Sequence, residues 1–179
     1  MSADARTALA RRIFETAHIT GEFTLRSGAK STEYFDKYLF EADPDLLKHI
    51  ALAMVKLVPP GIDALAGLEM GGIPIATMLS QLTGLPVLFV RKKAKDYGTC
   101  KIAEGGQVQG RKLLVVEDVV TSGGAILDAA KALRAEGAEL AHVVCVIDRE
   151  SGGAANLANA DLILSPLFTM SELKKAGGA

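Results

Sequence analysis

A chain of 179 residues with 20 basic and 21 acidic side chains is sized for one globular domain, and it lacks the basic excess that nucleic-acid binders carry. Aromatics make up 5% of the residues and Trp is absent, so a core must be built from Val, Leu, Ile and Ala. Two cysteines make no disulfide framework and no Cys/His spacing suggests zinc; the charged N-terminus lacks the apolar region of a signal peptide, and the longest apolar stretch, residues 50–68, is broken by Lys56, Pro59, Pro60 and Asp63. The expectation is a cytoplasmic protein that binds neither membrane nor nucleic acid.

Residues 5–17 read as a helix with Leu9, Ile13 and Phe14 on one face. Two short strands are expected next, residues 22–26 and 34–40, with a turn at Ser27 and Gly28 between them. Asp43 followed by Pro44 is an N-cap with proline at the first helical position, so a helix starts there and runs to about Leu57, where Pro59, Pro60 and Gly61 stop it. A strand–helix alternation then sets in. Residues 62–67 form a strand, 69–72 a loop, 74–82 a helix and 86–90 a strand. Residues 91–106 are polar and basic, and a long polar connection inside a compact domain is usually functional or disordered. Beyond it come a strand at 113–116, a helix at 124–136 closed by Gly137, a strand at 140–147, a short helix at 154–160 and a last strand at 162–164. Thr169 and Glu172 have capping-box spacing for a terminal helix. The strands are continuous apolar runs, as in a parallel sheet covered on both faces, so the expected class is α/β, with a mostly parallel sheet flanked by helices.

The segment Leu113-Leu114-Val115-Val116-Glu117-Asp118-Val119-Val120-Thr121-Ser122-Gly123-Gly124-Ala125 carries the chemistry. Four apolar residues make a strand, and two carboxylates follow at its carboxyl end, where open α/β sheets bind ligands. A Thr-Ser-Gly-Gly turn then opens a helix, whose free N–H groups, with two hydroxyls, suit a phosphate. Carboxylates repel phosphate, so their presence needs a reason. They accept hydrogen bonds from sugar hydroxyls or they hold a metal ion, and both point to a phosphorylated sugar.

This segment resembles the signature of the type I phosphoribosyltransferases, which bind 5-phosphoribosyl-1-diphosphate (PRPP). The resemblance covers nearly the whole chain and narrows to the orotate phosphoribosyltransferases. Residues 21–28, GEFTLRSG, and 31–36, STEYFD, are similar to that family's N-terminal hood, placed at about residues 1–42 with the core at 43–179. Residues 67–74, GLEMGGIP, look like its diphosphate-contacting loop, and 91–98, RKKAKDYG, like its mobile catalytic loop. The resemblance implies PRPP contacts from Glu69, Gly71, Arg91, Lys92, Lys95, Glu117, Asp118, Val119, Val120, Thr121, Ser122, Gly123, Gly124 and Ala125. Lys95 and Asp118 become the catalytic candidates. Arg26, Phe35, Thr121 and Arg149 become the orotate contacts, with the Arg149 guanidinium placed against the orotate carboxylate. It also implies Mg²⁺ held mainly by PRPP, and a homodimer in which loop residues 91–106 reach the neighbouring site. On charge alone, Arg91, Lys92, Lys93 and Lys95 are a solvated loop; departing diphosphate gives three of them work, and Lys93 is the weakest. The chain departs from some family members at Arg26 and Gly71, where those have Lys, and at Tyr97, where they have His. Tyr has an unperturbed pKa of about 10 and is no neutral-pH substitute for His. His18, His49 and His142 have no triad-like setting, and Cys145 sits in an apolar run as a core residue. Transfer to another base, or PRPP sensing without catalysis, are the alternatives.

Overall fold

A computed structural model describes residues 1–24, 28, 30–93 and 101–178. Arg26, Lys95, Tyr97 and Cys100 lie outside the described residues, as does most of the proposed turn around Ser27. The chain opens with helix α1 (Ala3–Ala17), capped by the Ser2 side chain, and its buried face is Leu9, Ala10, Ile13, Phe14 and Ala17, as the spacing predicts. Strands β1 (His18–Thr24) and β2 (Lys30–Phe35) pair antiparallel as a small separate sheet. β1 starts directly after α1 rather than at Glu22, because the His18 ring stacks on Phe14 and also meets Glu33 across the hairpin at 2.8 Å.

The strand expected at 34–40 is corrected. β2 ends at Phe35, and helix α2 (Lys37–Ala42) follows, with the Asp36 carboxylate accepting from the Tyr38 N–H. An Asp at N-cap outweighs the β propensity of the aromatics beyond it, because it satisfies a donor that the helix start leaves open. Helix α3 (Pro44–Met54) begins as predicted, with Asp43 accepting from Asp45 and Leu46 N–H, and a 3-10 turn at Val55–Leu57 ends it.

The central sheet has six strands in the order β5-β4-β3-β6-β7-β8. They are β3 (Ala64–Leu68), β4 (Val87–Val90), β5 (Ala103–Glu104), β6 (Lys112–Val120), β7 (Glu139–Asp148) and β8 (Ile163–Thr169). All pairings are parallel except β4 with β5. The connecting helices are α4 (Gly72–Thr83), α5 (Gly124–Ala135), α6 (Gly153–Ala158) and α7 (Met170–Gly177). Two apolar layers sandwich the sheet, as continuous apolar strands require. Leu114 and Val116 point into the layer of α1, α3 and α4, and Leu113 and Val115 into the layer of α5. α1 belongs to the first layer, so the N-terminal residues share a core with the sheet. The Thr169–Glu172 capping box forms, and Arg6 pairs with Glu172 at 2.9 Å, fastening α1 to α7.

Two departures from the expected strands bear on function. β6 runs to Val120 and takes Glu117 and Asp118 into the strand. The polar connection after β4 folds back through β5, and Arg91 N–H donates to the Ile102 carbonyl at 2.9 Å. The feet of that connection are therefore pinned together at the sheet edge. Among the described residues, no helix is long and apolar enough to cross a membrane.

Candidate active site

The parallel strands β3, β4 and β6 end at one edge, and a cleft of about 510 Å³ opens there. Its floor and far wall are Val119 to Ile126 with Asp128, Ala129 and Ala132 of α5; its near wall is Leu68, Glu69, Val90, Arg91, Lys92 and Ile102. Cleft and motif coincide because a parallel sheet delivers its strand ends and helix starts to the same side.

The turn Thr121-Ser122-Gly123-Gly124 is shaped for an anion. Gly123 stands at φ +79°, where a β-carbon is disfavoured, and no side chain caps α5. The first N–H groups of α5 therefore have no helical partner and face the cleft rim. Thr121, Ser122, Gly124 and Ala125 are exposed, and Asn156 steadies the turn by donating from Nδ2 to the Ser122 carbonyl at 2.9 Å. On the opposite wall, Glu69 Oε1 accepts from Lys92 N–H at 2.6 Å, joining the end of β3 to that of β4. Arg91 and Lys92 thus start from a fixed base, facing the anion turn.

Glu117 and Asp118 lie beneath this cleft and are not part of its lining. Side chains alternate along a strand, so Asp118 points to the same side as Leu114 and Val116 and meets α2. It is fully buried, its Oδ1 turned to the Val119 N–H and its Oδ2 paired with the Lys37 ammonium. Glu117 Oε1 accepts from the Asp118 N–H at 2.9 Å. Glu41, also on α2, brings a third buried carboxyl, and its Oε1 has no hydrogen-bond partner among the described residues.

Their protonation follows from this crowding. Burial pushes the Glu117 carboxyl well above its ordinary range, and the Asp118 charge beside it adds to that. Burial, then the neighbouring Asp118 charge, raise Glu41 from 4.5 to about 8. Burial would raise Asp118 as well, but hydrogen bonds from Glu117 and Lys37, with the Lys37 charge, outweigh it and hold Asp118 below its usual value. Burial would lower Lys37; its bond to Asp118 outweighs that and raises it. One carboxylate is thus ionised against one ammonium, flanked by two carboxyls that favour their protons.

The remaining predicted residues separate. Gly71 is buried at the start of α4 against Asp118 and Glu41, away from the cleft lining. Arg149 follows β7, and its N–H donates to the Val120 carbonyl at 2.9 Å; its side chain is exposed, beyond the cleft lining. Phe35 packs on the first apolar layer at the end of β2. Sequence reasoning missed Lys37, Glu41 and Asp128. A strand at 34–40 hides Lys37 and ends just before Glu41, whereas the Asp36 cap places Lys37 and Glu41 one helical turn apart on the same face.

Residues 40–170 match the family model for the phosphoribosyl transferase domain. The chain is 57% identical over 176 residues to an orotate phosphoribosyltransferase of Nocardioides sp., covering 98% of this chain and 97% of that protein. Its fold superposes on the crystal structure of Mycobacterium tuberculosis orotate phosphoribosyltransferase in complex with Fe(III) dicitrate with a TM-score of 0.85 at 29% identity, covering 94% of this chain and 98% of that one. The complex of the Mycobacterium tuberculosis enzyme with 5-phospho-α-D-ribosyl 1-diphosphate gives 0.81 at 27% identity, with the same 94% and 98% coverage. With a family model spanning most of the sequence and a relative this similar along almost its full length, the chain belongs to the phosphoribosyltransferase family, in its orotate phosphoribosyltransferase branch.

Proposed function

We propose that this protein transfers the 5-phosphoribosyl group of PRPP to orotate, giving orotidine 5′-monophosphate and diphosphate, a step in pyrimidine nucleotide synthesis. The observation that carries the reading is the cleft itself: an uncapped helix start and two hydroxyls on one wall face Arg91 and Lys92 on the other. A molecule with a phosphate at one end and a diphosphate at the other matches both walls. The 5′-phosphate takes the N–H groups and hydroxyls of residues 121–125, and the diphosphate takes Arg91 and Lys92 with Lys95 closing over it. Glu117, in the strand beneath, is assigned the ribose hydroxyls, with Asp118 buried behind it. The reaction breaks the ribose C1–O bond, whose electron pair leaves with diphosphate, and forms a bond from C1 to a ring nitrogen of orotate, which gives up its proton. Cations preset around the departing charge lower that barrier without reorganising.

Mg²⁺ fits this lining. Magnesium asks for oxygen ligands and keeps several of them on water and substrate phosphates, needing only one or two carboxylates from protein. Glu69 is the carboxylate at the diphosphate end and would hold it there, while the substrate supplies most ligands; no group of three metal-binding side chains occurs among the described residues. When bound, the ion neutralises charge on the diphosphate.

Arginine grips a planar carboxylate through two hydrogen bonds, so Arg149, at the sheet edge beside Val120, is assigned the orotate carboxylate, with Thr121, Arg26 and Phe35 completing the base site. The enzyme acts in the cytoplasm as a homodimer whose loop, residues 91–106, reaches the neighbouring site. A panel of orotate, uracil, hypoxanthine and adenine with PRPP and Mg²⁺ tests the function: turnover of orotate alone is expected, and preference for a purine would remove the orotate assignment. Lys95→Ala should lower kcat more than it raises the KM for PRPP. Mixing Lys95→Ala with Asp118→Asn should regain activity in hybrid dimers; no recovery despite subunit exchange would place the loop in its own chain's site.

A further inference from the structure

Helix α2 has no part in the chemistry set out above, yet it packs against the two motif carboxylates of β6. Three carboxyls, Glu41, Glu117 and Asp118, are buried together there, and one cation, Lys37, enters among them from the hood side. Two geometric facts make this a built site. The Lys37 ammonium reaches Asp118 Oδ2, an atom with no solvent exposure, from a side chain that is itself one-third exposed. Gly71 leaves the room for it: a β-carbon at that position would stand 1.6 Å from Asp118 Oδ2 and 2.8 Å from Glu41 Oε1. The start of α4 is therefore kept bare so that Asp118 can turn toward the hood.

We propose that Lys37 is a positioning residue for the phosphoribosyl pocket, the counter-ion that fixes Asp118 and, through it, the end of β6 that feeds the phosphate turn. The path is short. Lys37 pairs with Asp118 Oδ2, Asp118 Oδ1 takes the Val119 N–H, and the Val120 carbonyl takes the Arg149 N–H at the mouth of the turn. Without the ammonium, a carboxylate would be buried beside two further carboxyls with no cation. The cluster would then take up a proton or move apart, and either change releases Asp118 from its present orientation. The same pairing ties a helix of the N-terminal region to the sheet edge that binds substrate. The other ionisable groups facing the cluster are Asp36 and Tyr38 from the hood side and Cys145 from β7.

The inference rests on the PRPP reading, and the test keeps the two apart. PRPP titrations with Mg²⁺ by calorimetry, from pH 6 to 9, compare wild type with K37M, K37R, E41Q and K37M/E41Q, each checked for fold by circular dichroism. K37M should weaken PRPP binding about 10-fold or more at pH 7, the loss of one charge-assisted hydrogen bond. Its acid limb should move to higher pH, because Asp118 loses the cation that favours its ionised form. K37R should restore most of the affinity, and adding E41Q to K37M should recover part only above about pH 8, where Glu41 would otherwise add a second buried charge beside Asp118. Should K37M not fold, E41Q alone decides: it should flatten the change in PRPP affinity expected of wild type as pH rises through about 8. A folded K37M with wild-type affinity and pH profile overturns the proposal, as does K37R behaving like K37M, or an E41Q profile matching wild type. Wild type that fails to bind PRPP removes the functional reading, and the proposal with it.

Discussion

Arg149 is held by its backbone: its N–H is fixed to the Val120 carbonyl, so the side chain starts beside the phosphate turn, exposed and outside the cleft lining. A residue held this way is removable without harm to the core. Arg149→Ala should cut kcat/KM for orotate by about 10- to 100-fold or more, as expected for losing one charged hydrogen-bonding group, while calorimetry with PRPP stays near wild type. Normal handling of orotate by that variant would free the base site from Arg149. Asp118 is the opposite case, buried and fully engaged. Asp118→Asn keeps the shape but removes the charge that Lys37 answers, and should weaken PRPP binding by about 1.5–3 kcal/mol. Unchanged affinity in both Asp118→Asn and Glu117→Gln would end the ribose assignment.

At the scale of elements, the site depends on how closely α4 approaches β6. A β-carbon on Gly72 would meet the Val116 carbonyl oxygen at 2.2 Å, so only a residue without one lets the helix start lie on the strand. Gly72→Ala must push α4 away or bend β6, and overpacking of this kind costs about 1–3 kcal/mol. Roughly 2–4 °C of melting temperature is lost per kcal/mol in a domain of this size, which a thermal melt resolves. A melting temperature equal to wild type would mean that the α4–β6 contact yields freely. The Asp36 cap acts at the same scale: by starting α2 one residue later, it turns Lys37 and Glu41 toward the sheet together.

For the whole molecule, the buried carboxyls set how stability follows pH. Glu41 titrates at about 8 in the folded protein against an ordinary 4.5, so the folded state holds this proton more tightly than the unfolded chain. Its contribution is complete below 4.5 and is lost as pH rises through about 8. Glu117, also raised, acts in the same direction, whereas Asp118 is lowered and contributes above the ordinary Asp value of 3.8. The melting temperature should therefore fall between pH 6 and pH 9, and Glu41→Gln should flatten that fall. Parallel pH curves for wild type and Glu41→Gln would exclude Glu41 as the titrating group.

The sequence by itself determined the α/β class, the strand-turn-helix of residues 113–125 and the cationic segment after β4. Each of these is local: apolar runs, a cap or a glycine turn specify backbone shape within a few residues of themselves. The start of α3 at Asp43 and Pro44 and the closing capping box at Thr169 were legible for the same reason. The short helix α2 was not, because Tyr34, Phe35, Tyr38 and Phe40 carry strand propensity and a single Asp cap decides against it. Only the tertiary structure decided where the two motif carboxylates point. The extension of β6 through Val120 turns Asp118 toward α2, where it meets Lys37 and Glu41 some 80 residues earlier in the chain. A charged pair of this kind leaves no local pattern. Lys37 and Asp118 are ordinary surface residue types until the sheet removes them from water, and from that point each requires the other.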